Sequence, residues 1–128
     1  MTKIESQKIQ YHKAVLSLEK AYEKYKNTKE DIDTYRDSVV QRFEFCFDLA
    51  WKALKTILLE KGVICNTPRD CFENAYSAKL IDNEEIWIKT MKTRNTLSHL
   101  YDEDSAKESV LQIPEFIENF KKLKDIIE

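Results

Sequence analysis

From Tyr11 the apolar residues recur at Tyr11, Ala14, Val15, Leu18, Ala21, Tyr22 and Tyr25, in steps of three and four that trace one side of an α-helix. The polar run Lys26-Asn27-Thr28-Lys29 breaks the pattern. It resumes at Tyr35, Val39, Phe43, Phe47, Ala50, Leu54 and Ile57-Leu58 and stops at Gly62, the residue best suited to a left-handed helix end. Two long antiparallel helices are predicted. Thr67-Pro68-Arg69-Asp70 reads as a further helix start, with Thr67 as cap, Pro68 in the first turn and Asp70 near the positive helix end. The short third helix carries Phe72, Ala75, Tyr76 and Leu80. Asp82-Asn83-Glu84-Glu85 opens a fourth, through Ile86, Trp87 and Met91 toward His99. Asp102-Glu103-Asp104-Ser105 opens a fifth, with Ala106, Val110, Ile113, Ile117, Phe120 and Leu123 on its apolar side. Pro114 lies inside that last pattern and should kink it or split it in two.

Five amphipathic helices with short connections predict an all-α fold, an antiparallel helical bundle forming a single domain over residues 1–128. With one Gly and two Pro there is little material for the tight turns of β-hairpins. The formal charge of −2 lacks the basic footprint usual in nucleic-acid binders, so any RNA contact would be local and short. Cys46, Cys65 and Cys71 form no CxxC pair, and only His12 and His99 could join them, so neither metal nor cofactor is expected. Three free, mostly buried thiols are expected instead, in a reducing cytoplasm. Met1-Thr2-Lys3-Ile4-Glu5 lacks a signal-peptide apolar run and no stretch is long enough to span a bilayer, so a cytoplasmic protein without membrane contact is expected.

The fourth helix holds residues that the fold alone does not explain. At ~100° per residue, Trp87, Met91, Arg94, Ser98 and Tyr101 fall within a sector of ~80°, which puts Arg94 on the core-facing line. A charge there is costly unless paired or facing a partner. Glu44 and Asp48, one turn apart on the second helix, are candidate partners, and equally they could be solvated or pair with Lys52. Lys92, Asn95 and His99 share another side, with His99 ~140° from Arg94. Two arrangements would unite Arg94 and His99: a helix that ends or tightens near Ser98, or a site completed across a two-fold axis by a second copy. Simpler roles stand beside these: half of a buried ion pair for Arg94, a capping or surface residue for His99, and a core aromatic for Tyr101. Phe43, Phe45, Phe47 and Trp51 cover more than one helical side and are expected to form, beyond the core, a dimer or partner interface.

Arg94, four intervening residues, His99, one residue and Tyr101 match the Arg-x4-His-x-Tyr motif of HEPN proteins of the HepT type, which the chain resembles. Arg94-Asn95, Tyr101-Asp102-Glu103, Gln41-Arg42-Phe43-Glu44-Phe45 and Asp48-Leu49 resemble the subfamily of nucleotidyltransferase substrate-binding proteins. The likeness covers nearly the whole chain. It implies a helical bundle that dimerises and is encoded beside a minimal nucleotidyltransferase. It also implies one of two functions. The first is a toxin acting as a metal-independent endoribonuclease, neutralised when the nucleotidyltransferase transfers AMP to the motif tyrosine, here Tyr101. The second is a non-catalytic substrate-binding subunit of a two-component nucleotidyltransferase, and a plain interaction module is a third possibility.

The ribonuclease chemistry can be assigned to residues. RNA carries its own nucleophile, the 2′-hydroxyl, so cleavage needs a base and a cation. His99 exchanges protons near neutral pH. Arg94 offers a forked, permanently charged donor matched to phosphate oxygens. Asn95, one turn before His99, could orient the imidazole or bind the scissile phosphate. Lys92 joins Lys89 and Arg94 in a local basic side, and Glu44 completes the expected substrate-binding set. Nucleotide transfer to Tyr101 would place charge and bulk beside Arg94 and His99 and so block RNA. The complete Arg, His and Tyr set favours the toxin reading, since a passive subunit has no evident need for all three.

Overall fold

The computed structural model describes residues 1–99 and 102–128, residue 99 through its backbone alone. The first helix begins at a reciprocal cap in which Thr2 Oγ1 accepts from the Glu5 amide at 3.2 Å and Glu5 Oε2 accepts from the Thr2 amide at 3.0 Å. It runs as α1 (Lys3–Asn27), starting earlier than its apolar periodicity, and is followed by α2 (Ile32–Glu60). Gly62 adopts φ of 82° just beyond α2. Its amide bonds to the Leu59 carbonyl and that of Val63 to the Leu58 carbonyl, both at 2.9 Å, closing the helix as anticipated. Helix α3 (Pro68–Ser77) starts under Thr67, whose Oγ1 accepts from the Asp70 amide at 3.2 Å. Helices α4 (Glu84–His99), α5 (Glu103–Val110) and α6 (Ile113–Ile126) complete the order.

Among the described residues six helices thus replace the five expected, because the last apolar pattern divides near Pro114. The proline falls in the first turn of α6, where its missing N–H removes no helical bond. Among the described residues there is no strand, and no helix is long and apolar enough to cross a membrane.

Helix α2 is the hub, packing along α1 most extensively and touching α3, α4, α5 and α6. Aromatic rings knit these elements together. Phe43 of α2 lies 5.4 Å from Phe116 and 6.1 Å from Phe120 of α6, and Phe120 lies 5.8 Å from Trp87 of α4. Trp87 stacks at 5.0 Å on Phe72 of α3, which meets Phe47 of α2 at 5.7 Å. At one side of this core the Tyr11 hydroxyl donates to the Phe120 carbonyl at 2.7 Å, and burial pushes the phenol's pKa well up. Tyr11→Phe is expected to lower stability by about 1–2 kcal/mol, since the buried carbonyl keeps its desolvation and loses this partner. A urea midpoint equal to wild type would remove that bond from the account.

One expectation is corrected. Cys65 and Cys71 are not free thiols: they form a disulfide with Cα atoms 5.2 Å apart. The segment before α3 folds back against its first turn, a proximity that a spacing of six residues does not announce. Cys46 is free, and burial pushes its thiol pKa well up, away from the reactive thiolate. The aromatic cluster of α2 divides between core and surface. Phe43 and Phe47 are core, Trp51 is half-buried beneath Lys55, and Phe45 alone of the four is exposed.

Candidate functional site

The apolar line of α4 rises from the core to the surface. Trp87 and Met91 are buried, Arg94 is partly covered, and Ser98 is exposed. Arg94 therefore emerges at the rim of the bundle, where α2 presents Glu44 and Asp48 one turn apart. Asp48 receives the guanidinium bidentately, from Nε to Oδ1 at 3.4 Å and from Nη2 to Oδ2 at 3.1 Å. Glu44 Oε2 accepts from Nη1 at 2.8 Å. Ser98 Oγ accepts from the same nitrogen and approaches Glu44 Oε2 at 3.0 Å. Burial works against the cation, but the hydrogen bonds and charges of Asp48 and Glu44 outweigh it and raise the Arg94 pKa.

Of the two structural alternatives for Arg94, pairing with Glu44 or with Asp48, both are realised together. Among the described residues, four of its five N–H groups are engaged, leaving one on Nη2. One positive charge faces two carboxylates, so the cluster carries net negative charge. Chemically it is a guanidinium held in a set orientation. A phosphate reaching it must take the remaining N–H or exchange with a carboxylate.

The other sequence-chosen residues divide around this helix. Asn95 is exposed. Lys92 lines a cleft between α4 and α5, on a different side from the Arg94 cluster. The side chain of His99 and all of Tyr101 lie outside the described residues. Just beyond them, Asp102 caps α5, accepting from the Ser105 amide at 2.7 Å and from its hydroxyl at 3.0 Å, and these bonds hold its carboxyl below the usual range.

Asp48, a candidate ion-pair partner by its position on α2, makes the bidentate contact. Sequence reasoning passed over Arg36 of α2, which is 3% exposed. Its Nη2 bonds to Asp33 at 2.9 Å and lies 3.6 Å from Glu103, the first residue of α5, so it ties α2 to the α4–α5 junction. A signal for it existed: Arg36 stands one turn before Val40 on the buried line of α2.

With this geometry in place, similarity to known proteins adds to it. The family described as nucleotidyltransferase substrate binding protein like matches residues 7–128. Probable ribonuclease HepT of Haemophilus influenzae is 29% identical over 92 residues, covering 66% of this chain but only 62% of that protein. Among solved structures, a tri-AMPylated Shewanella oneidensis HEPN toxin in complex with MNT antitoxin has a TM-score of 0.81 at 21% identity, covering 99% of this chain and 98% of that one. A Haemophilus influenzae protein described as showing the fold of a substrate binding domain of a nucleotidyltransferase has a TM-score of 0.77 at 22% identity, covering 91% and 96%. At these identities the structures show a shared helical-bundle fold.

Proposed function

We propose, from the premise that this chain belongs to the nucleotidyltransferase substrate binding protein-like family, that it is the HEPN-type partner of a minimal nucleotidyltransferase and acts as a metal-independent endoribonuclease toxin. The observation that carries the reading is Arg94, held in one orientation by Glu44, Asp48 and Ser98 five residues before His99. The names of the relatives, a probable ribonuclease and a HEPN toxin bound to its antitoxin, support it.

In this reading His99 takes the proton of the 2′-hydroxyl. The 2′-oxygen bonds to phosphorus and the 5′-oxygen departs with a proton, leaving a 2′,3′-cyclic phosphate and a 5′-hydroxyl. Arg94 steadies the phosphate with its remaining N–H and by exchanging Glu44 for a phosphate oxygen, while Asp48 keeps the fork oriented. Asn95 and Lys92 contact the strand from the exposed sides of α4. A homodimer brings a second motif to the same cleft. The partner nucleotidyltransferase transfers AMP from ATP to the Tyr101 hydroxyl, releasing pyrophosphate, and the new phosphodiester charge excludes RNA.

Incubation of the purified chain with RNA in excess chelator is expected to yield cyclic-phosphate ends. Incubation with the partner and ATP is expected to add AMP to Tyr101, read by peptide mass spectrometry, and to stop cleavage. RNA left intact in chelator sinks the first claim, and an unmodified Tyr101 sinks the second. One observation favours the other reading, a non-catalytic substrate-binding subunit: the Arg94 charge is already more than balanced by Glu44 and Asp48. Under that reading RNA stays intact while the partner's transfer to a small substrate depends on this chain.

A further inference from the structure

The seam between α1 and α2 holds two hollows of about 300 and 330 Å³ that meet at Ser17 and Arg42. Lys13, Lys20, Lys24 and Arg42 line them, and among the described residues no carboxylate does. In a chain of formal charge −2 this is a local concentration of positive charge. Helical spacing produces it. Lys13, Ser17, Lys20 and Lys24 step by four, three and four along α1 and form one stripe about 16 Å long. Glu19 points away to α6, where it holds Lys121 at 2.8 Å.

Arg42 is held differently from Arg94. Its Nε donates to Ser38 Oγ at 3.2 Å and its Nη1 to Ser17 Oγ, so hydroxyls from two helices orient the fork without neutralising it. Among the described residues neither Arg42 nor Lys13, Lys20 or Lys24 makes an ion pair, whereas Arg94 faces two carboxylates. Three N–H groups of Arg42, one on Nη1 and two on Nη2, are left among the described residues, a planar edge matched to phosphate oxygens. The groove therefore attracts anions, and the length of its lysine stripe suits a chain of phosphates better than a single one. Bases find a surface as well. Phe45, 59% exposed, borders one hollow, and half-buried Tyr35 borders the other. At ~100° per residue Phe45 stands ~60° from Arg42 on one side and ~60° from Asp48 on the other. The exposed ring thus lies between the groove and the Arg94 cluster.

We propose that the α1–α2 groove binds the single-stranded RNA beyond the Arg94 cluster, with Arg42 clamping a phosphate, Lys13, Lys20 and Lys24 following the backbone, and Phe45 stacking a base between the two places. The identity of the strand rests on the ribonuclease reading, but binding in the groove does not require His99. Fluorescence anisotropy with a labelled single-stranded 2′-O-methyl RNA of about 12 nucleotides tests it, since this strand has no free 2′-hydroxyl to react and binding is read apart from cleavage. Arg42→Gln is expected to weaken binding roughly tenfold and to make log K fall less steeply with log salt, by about 0.7, the share of one phosphate contact. Phe45→Ala is expected to weaken binding about tenfold at an unchanged salt slope, because lost stacking carries no charge. Lys122→Gln, at an exposed cation of α6, is expected to leave both close to wild type. Equal effects of Arg42→Gln and Lys122→Gln in folded chains overturn the proposal, whether or not the wild type cuts unmodified RNA. Arg42-dependent binding by a chain that leaves unmodified RNA intact in chelator upholds the groove and sinks only the ribonuclease reading. Dissociation of a dimer by Phe45→Ala overturns the proposal too, since the ring would then belong to a second copy.

Discussion

Replacing His99 by alanine is expected to slow metal-free RNA cleavage roughly 10²–10⁴-fold, the range a positioned general base contributes, while leaving the thermal unfolding midpoint close to wild type. His99 is the cleaner probe of the two motif residues. Arg94→Ala would leave Glu44 and Asp48 facing each other without their shared cation, so lost activity could reflect lost structure. Arg94→Lys keeps a charge but gives up the bidentate contact with Asp48. His99→Ala removes the proposed base while keeping the Arg94, Glu44, Asp48 and Ser98 groups. Cleavage should be timed on a labelled RNA in chelator, with product ends identified. Wild-type rates for His99→Ala would end the ribonuclease proposal and leave the substrate-binding subunit as the better account.

Trp87→Ala is expected to destabilise the fold by roughly 3–5 kcal/mol, the range for deleting a large buried ring. Trp87 is 2% exposed, and its ring contacts both α3 and α6. A domain's total stability is only about 5–15 kcal/mol, so the variant should be marginal at room temperature. Urea unfolding should show a lower midpoint at an unchanged slope, since the surface exposed on unfolding stays nearly the same. A loss below about 1 kcal/mol would mean that the ring does not pack between Phe72 and Phe120 as described. The substitution also bears on the site. Trp87 and Met91 seat the line on which Arg94 reaches the rim, so slack at Trp87 should loosen the grip of Asp48 and Glu44.

Helix ends were readable because they are local events. Thr67 caps, Gly62 turns left-handed, Asp102 accepts from Ser105 and Pro114 falls in a first turn, each within a few residues of chain. The same holds for the line Trp87, Met91, Arg94 and Ser98, since a helix maps spacing onto direction. The family motif was legible too, and with it the fold.

What spacing along one helix cannot report is which surface another helix presents. That Arg94 holds Glu44 and Asp48 at once follows from the packing of α4 on α2, across 50 and 46 residues of chain. The exposure of Phe45 beside the buried Phe43 and Phe47 arises the same way. Lys92 is exposed and lines a cleft between α4 and α5, on a different side of α4 from Arg94. The sequence by itself determined the helices, their inward sides and the family. Only the tertiary structure decided which charges meet, because ion pairing depends on distance in space, and that distance is set by how the helices pack.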